Sequence, residues 1–405
     1  MADRETAPRV LLLTHSYAPE ATPPARRWEA IVRGLVAEGW SVTVLAPGAP
    51  DHAARSERGE HGETVLRTRS RRAEAGGRNA RFADAVIHAI QSIPLGLAAT
   101  RPDVVVATVP ALPTVVAGRA LAVLRRLPLV LEMRDAWPDL ARDAGLRSGP
   151  LGRLMERIVG GAQRRADLVV TVTAGFAETL RARGIACVET LGNGVALDAI
   201  PALPPRDRRP GDELHVLYLG NHGESQGLER LVEAAARLRS RAPGVRVRMV
   251  GSGTRREELL ALNHRRSEPV EMLDAVHGQA AREHYAWADT VMVCLRPDWA
   301  SFLHTVPSKT YELLSIGRHV TAQVQGEAAA VVEAAGGGDV VGPTVDDLVA
   351  HLEALWADPA STRTTGAARG WVASHADLST IGHRYAELLS RTVLRRRGRS
   401  SRPRI

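Results

Sequence analysis

Two successive series of short, uninterrupted apolar segments constrain this chain more than any other feature. In the first half, strands are expected at Val10–Ser16, Ser41–Ala46, Asp103–Thr108, Leu127–Met133, Asp167–Val172 and Cys187–Thr190. In the second, they are expected at Leu214–Leu219, Val245–Val250, Val270–Val276, Thr290–Cys294, His319–Val324 and Asp339–Val341. Helical patterns alternate with them. Pro24–Glu38 carries Trp28, Ile31, Val32 and Leu35 on one face and stops at Gly39. Others fall near Pro113–Arg126, Gly152–Arg165 and Ala174–Arg183, then near Ser225–Ser240, Ser308–Ile316, Val345–Trp356 and Thr362–Ser374. Strands apolar at every position must be covered on both faces, which demands a parallel sheet between helices. The expected fold is therefore α/β, with two Rossmann-like doubly wound domains.

The Pro- and Arg-rich run Pro201–Pro210 separates the two series. We expect a first domain over 1–200, a linker over 201–213, a second domain over 214–376, a last amphipathic helix over 377–394 and a disordered basic tail over 395–405. Asp51–Arg81 reads as a mobile basic loop with one strand near Glu63–Arg69. Ligands of open α/β sheets bind at the carboxyl ends of the strands, so a cleft between the domains is the expected site.

Charge enters next. The 405 residues carry a formal +8 and only 4% aromatic residues. Residues 1–200 hold 26 basic and 21 acidic residues, 201–390 hold 20 and 24, and 391–405 hold seven arginines and no acid. The excess therefore lies in the first half and the tail. It prompts a non-enzymatic alternative, a protein binding anionic surfaces or nucleic acid, which would bind with steep salt dependence. Few aromatics leave little stacking surface, and nucleic acid is not the expected partner. An anionic membrane face, met through the Arg-rich segments, is. Two cysteines, Cys187 and Cys294, make no disulfide framework. The longest apolar window, Val104–Leu124, is broken by Pro110, Pro113 and Arg119. A cytoplasmic protein, peripheral at most at the inner membrane face, is the expectation.

The segment Pro307-Ser308-Lys309-Thr310-Tyr311-Glu312 opens a helix and contains the only lysine of the chain. A helix N-terminus with exposed N–H groups suits a phosphate, and a lysine adds a compact charge. Glu312 lies one turn on, where a carboxylate can take a ribose diol. Ser308 is the expected N-cap. The alternative, an exposed capping turn closed by an i,i+3 ion pair, uses the same residues. Gly220-Asn221-His222-Gly223 and Gln226-Gly227 follow the first strand of the second series, and Gly251-Ser252-Gly253 follows the next. Such glycines let a backbone approach a ligand closely. In the first half, His15, Tyr17 and Glu20 follow the opening strand, and Arg134-Asp135-Ala136-Trp137-Pro138 follows the fourth. Asp135 could orient a hydroxyl and Arg134 an anionic group, or the two could simply stabilise a turn.

In this order, these residues resemble the family 4 glycosyltransferases of the GT-B fold, particularly the bacterial subgroup that builds surface polysaccharides. The likeness spans nearly the whole chain, including Tyr17-Ala18-Pro19-Glu20, Asn193-Gly194-Val195 and Val276-His277-Gly278. It implies transfer of a sugar with retention, without a metal or other cofactor, from a nucleoside-diphosphate sugar (UDP first) to a hydroxyl acceptor. It also implies a last helix that crosses back to the first domain. Lys309, Asp135 and Arg134 become the catalytic candidates. The donor-binding candidates are Gly220, Asn221, Gly223, Gln226, Gly227, Gly251, Gly253, Ser308, Lys309, Thr310 and Glu312. His15, Tyr17, Glu20, His304 and Thr305 are the candidates near the acceptor and donor sugar. The chain departs from the family pattern in places. Glu312 matches the second Glu of the E-x7-E motif, but the first position holds His304, and Asn221 and Gln226 stand where many relatives have Arg and Lys. A lipid-linked saccharide is the first expected acceptor and a natural-product aglycone the second. A sugar-nucleotide epimerase of the same shape is the alternative enzyme.

Overall fold

The computed structural model describes residues 7–20, 22–50, 55–70, 78–109, 112–143, 145 and 150–400. It divides into two compact units, Met1–Asn193 with Leu378–Ile405, and Gly194–Asp377.

The first unit runs β1 (Arg9–Leu13), α1 (Pro23–Ala37), β2 (Ser41–Pro50), β3 (Arg55–Arg58), β4 (Thr64–Ser70), α2 (Arg78–Ala98), β5 (Val104–Val109), α3 (Leu112–Arg125), β6 (Leu129–Met133), α4 (Asp139–Asp143), α5 (Pro150–Arg165), β7 (Leu168–Thr171), α6 (Ala174–Ala182) and β8 (Val188–Thr190). Among the described residues its sheet has the order β3-β4-β2-β1-β5-β6-β7-β8, parallel except for the β3–β4 pair. Alternation along each strand shows why both faces are covered. Val10 and Leu12 of β1 join the core under α1, whereas Leu11 and Leu13 join the core under α3 and α6.

The second unit runs β9 (Leu214–Leu219), α7 (Glu229–Arg241), β10 (Val245–Val250), α8 (Arg256–Arg265), β11 (Val270–Leu273), α9 (Gln279–Trp287), β12 (Thr290–Cys294), α10 (Ser308–Ser315), β13 (His319–Gln323), α11 (Gly326–Ala335), β14 (Gly338–Val340), α12 (Val345–Ala357) and α13 (Ala367–His375). Its sheet is β11-β10-β9-β12-β13-β14, wholly parallel. The strand order reverses direction between β9 and β12, the place where a doubly wound sheet opens a crevice.

The last helix, α14 (Ile381–Ser400), returns to the first unit. Ile381, Tyr385, Leu388 and Leu389 enter the core that holds Trp28 and Ile31 of α1. The two helices cross glycine on glycine: a Cβ on Gly34 would lie 2.4 Å from the Cα of Gly382.

Four sequence expectations are corrected. The helix does not stop at residue 394; it continues through Ser400, and on it Arg396 and Arg397 reach Asp167 and Asp103 at 3.3 and 2.7 Å. Residues 401–405 lie outside the described residues. The 201–213 segment is no free linker. Leu203 N–H donates to Ile316 O, Arg206 pairs with Asp289 at 2.8 Å, and buried Arg208 donates to Leu355 O, all within the second unit. That unit also begins earlier than residue 201, since Val195 N–H donates to Ala376 O. Finally, the expected loop 51–81 contains the antiparallel strand β3, and α2 starts at Arg78; its residues 51–54 and 71–77 lie outside the described ones.

Candidate functional site

The carboxyl ends of β9, β10 and β12 are knitted together by their own backbones. Gly220 N–H donates to Val250 O, His222 N–H to Ser252 O, and Gly251 N–H to Leu273 O. Arg296, just past β12, donates its N–H to Ser225 O. The approach is so close that side chains are excluded. A Cβ on Gly251 would lie 1.9 Å from Gly220 O, and one on Gly253 would lie 2.5 Å from His222 O. Gly227 is left-handed at φ +58°. Tyr218 Oη donates to Asn221 O at 2.8 Å and fixes the first turn.

Lys309 reaches into this turn from α10. Its Nζ donates to Leu219 O at 2.6 Å and stands 5.8 Å from the centre of the Tyr285 ring. A Cβ on Gly220 would sit 3.8 Å from Lys309 Cδ. The Tyr285 hydroxyl in turn donates to Glu312 Oε1 at 2.9 Å, and burial with that carboxylate raises the phenol pKa. Tyr285 thus joins Lys309 to Glu312. The structure therefore brings together Lys309, Glu312, Gly220, Gly251 and Gly253. Pro307, not Ser308, is the N-cap of α10; Ser308 is its first helical residue, and Thr310 N–H takes the Pro307 carbonyl. Thr310 Oγ1 and Gln226 Oε1 are buried with no hydrogen-bond partner, two polar atoms at this end of the sheet. Asn221 is exposed, and Gly223 stands between it and Gln226.

His222 is fully buried, with neither ring nitrogen hydrogen-bonded. Burial and the neighbouring Arg256 guanidinium lower its pKa from 6.5 to about 4, so the imidazole is neutral at pH 7. Its Nε2 would be 3.0 Å from a Cβ on Gly251, so the ring wedges the two glycine turns. His304 stands 4.0 Å from Glu327 Oε1, and Thr305 Oγ1 donates to Ser301 O.

In the first unit, the segments after β1 and β6 lie at the same sheet end, separated by β5. Tyr17 is buried, and its hydroxyl is spent on Glu63 Oε1 at 2.6 Å. Ser16 Oγ donates to Glu20 Oε2 at 2.6 Å. Both side chains thus build the loop after β1, which also carries His15. Arg134 differs. Its Nε and Nη1 are buried without a hydrogen-bond partner, and burial, then Arg27, holds its pKa below the usual arginine range. Asp135 is raised by burial, an effect opposed by Arg134. Arg27 itself is committed to Glu132 at 2.8 Å. Arg134 therefore keeps donors for an anionic or carbonyl oxygen.

Sequence reasoning did not single out Tyr285. Nothing in its helix pattern distinguishes it from a core tyrosine. His222 was passed over as a turn residue, although a histidine inside a glycine turn was visible.

Residues 24–194 match the glycosyl transferase 4-like domain, and residues 213–358 match glycosyl transferases group 1, so the two models together span well over half of the chain. The chain belongs to the family 4 glycosyltransferases of the GT-B fold, and it is a glycosyltransferase. WcaI of Escherichia coli (strain K12), a glycosyl transferase assigned to colanic acid biosynthesis, is 26% identical over 297 residues, 66% of this chain and 73% of that one. Among solved structures, a sucrose-phosphate synthase from Thermosynechococcus elongatus is similar with a TM-score of 0.76 at 18% identity, covering 95% of this chain and 98% of that one. HepE from Anabaena, in complex with UDP, is similar with a TM-score of 0.66 at 19% identity, covering 94% and 99%.

Proposed function

We propose that this glycosyltransferase takes its sugar from a nucleoside diphosphate, UDP first, bound by the second unit at the β9/β12 crevice. The observation that carries the reading is the convergence of Lys309 on the Gly220 turn, with Glu312 held one helical turn away. The diphosphate lies against the glycine turns and the start of α10, and the Glu312 carboxylate accepts from the ribose hydroxyls. Lys309 and the N–H groups of the turns supply the positive charge that the leaving diphosphate needs. No metal is required for that step. Preorganised charge of this kind is worth most where water is excluded.

Transfer proceeds with retention. The bond from the anomeric carbon to the diphosphate breaks, the acceptor oxygen bonds on the same face, and the acceptor proton passes to the departing phosphate oxygen. Arg134, with donors to spare, and Asp135 bind the acceptor side. The acceptor is a hydroxyl of a growing polysaccharide or glycolipid, first a lipid-linked saccharide. The relation to WcaI supports this class of product.

Thermal-shift measurements with UDP, GDP, ADP and dTDP test the donor reading. A nucleoside diphosphate at a hundred times its Kd stabilises by about 2.7 kcal/mol, a shift of a few degrees. Stabilisation by none of them would refute the proposed donor site.

A further inference from the structure

Among the described residues, eight of the eleven large exposed hydrophobic side chains lie on three helices of the first unit. On α2 they are Phe82, Ile90 and Leu97; on α3, Val116, Val123 and Leu124; on α5, Leu154 and Ile158. Ile90, Val123 and Leu124 are each more than 60% exposed (64%, 65% and 61%). The three helices are neighbours. Gly96 of α2 meets Leu121 of α3 so closely that a Cβ there would lie 2.7 Å from Leu121 Cδ1. Arg125 of α3 donates to Ala99 O past the end of α2, and Arg119 of α3 donates to Gly161 O of α5. The outward side of α2 shows no charge over its last four turns: Ile90, Pro94, Leu97 and Ala98 are exposed there. Exposed apolar side chains gathered on neighbouring helices mark a docking site.

Charge says what docks. The only carboxylates in the sequences of these helices are Asp84 and Glu156. Asp84 is buried and accepts from Ser70 Oγ, and Glu156 is engaged by Arg142. Arg126, Arg153, Arg157, Arg164 and Arg165 are exposed beside the apolar side chains. A second copy of the chain would set this arginine fringe against itself, and nucleic acid has no use for aliphatic side chains. A surface with an apolar interior and anionic phosphates matches both properties.

We propose that the face formed by α2, α3 and α5 docks the first unit on an anionic lipid bilayer, its aliphatic side chains entering the headgroup boundary and its arginines meeting lipid phosphates. The inference stands apart from the donor-site reading. It also relocates the expected membrane contact away from the C-terminal arginines, since Arg396 and Arg397 are turned onto Asp167 and Asp103.

Flotation of the full chain with vesicles tests it, using phosphatidylcholine alone and phosphatidylcholine with phosphatidylglycerol. The wild-type chain floats with the anionic vesicles and not with the neutral ones. The Ile90→Ser/Val123→Ser/Leu124→Ser variant loses at least about tenfold in partitioning. Arg153→Glu/Arg157→Glu loses about as much, since each arginine at the surface is worth about fivefold; it decides the matter should the apolar variant fail to fold. Arg396→Ser/Arg397→Ser binds within about twofold of wild type. Unchanged binding by both face variants, loss confined to the C-terminal variant, or no binding by the wild type would overturn the proposal. So would a wild-type dimer that the apolar variant converts to a monomer.

Discussion

Lys309 donates its ammonium to the carbonyl oxygen of Leu219 at 2.6 Å, which sets the only lysine of the chain on the carboxyl end of β9. Arginine fills the other 52 basic positions. A guanidinium is broad and planar, whereas the contact here is a point charge on one carbonyl oxygen, its stem in ordinary van der Waals reach of the Gly220 turn. The lysine count and the geometry thus agree on one residue.

The glycine turns leave no room for change. Gly251→Ala sets a methyl 1.9 Å from Gly220 O, so the turn must move. Urea unfolding is expected to show a loss of about 1–3 kcal/mol. Titration with UDP is expected to show weaker binding, since both turns line the proposed donor crevice.

Tyr285 holds Glu312 through one hydrogen bond. Tyr285→Phe keeps the ring and removes the donor. The expected outcome is a rise in donor KM of about tenfold, as a hydrogen bond to a charged group is worth about 1.5–3 kcal/mol. The kcat should change little, because Lys309 is untouched. A fall in kcat at unchanged KM would show that Tyr285 acts on the reacting centre instead.

His222 ties stability to pH. Its folded pKa, about 4, lies below the ordinary 6.5, so between these values the unfolded chain binds the proton that the folded one refuses. The imidazole therefore lowers stability progressively as pH falls from 6.5 towards 4, on the order of 3 kcal/mol in all. Above pH 6.5 it has no effect. Urea unfolding of wild type and His222→Leu near pH 7 and near pH 5 isolates the effect: the variant loses this part of the acid sensitivity. Equal acid sensitivity in both proteins would refute it.

The crossing of α1 and α14 depends on two glycines, Gly34 and Gly382, far apart in sequence as much as on its apolar contacts. Gly382→Val places side-chain atoms where the Gly34 backbone lies, since even a Cβ would be 2.4 Å from its Cα. Unfolding measurements should show a loss of about 1–3 kcal/mol. A neutral substitution would mean that the last helix does not need its seat on α1.

Both parallel sheets were legible because β1, β5 and β6 in one unit and β9 and β12 in the other are apolar at nearly every position, which only a doubly covered sheet tolerates. The glycine turns were legible because their glycines are closely spaced after strands, and Lys309 because it is the only lysine. The pairing of Tyr17 with Glu63 was not, since 46 residues separate a hydroxyl from the carboxylate that occupies it. The same holds for Tyr285 and Glu312, joined only by the fold. Helix α2 escaped notice for a different reason. Its outward face is nearly as apolar as its inward face, so the contrast that marks an amphipathic helix is missing. Strand β3, Arg-Ser-Glu-Arg, has no apolar alternation and owes its conformation to pairing with β4.

The most direct test of the account is the rate of sugar transfer, or of donor hydrolysis where the acceptor is not in hand, for Lys309→Ala and Lys309→Arg beside wild type. Loss of one preorganised donor to a developing oxyanion costs about 10²–10³ in kcat. The account predicts a fall of that size in the alanine variant, only partial recovery with arginine, and thermal unfolding within a few degrees of wild type. Turnover by Lys309→Ala within about twofold of wild type, an effect far below that range, would contradict it.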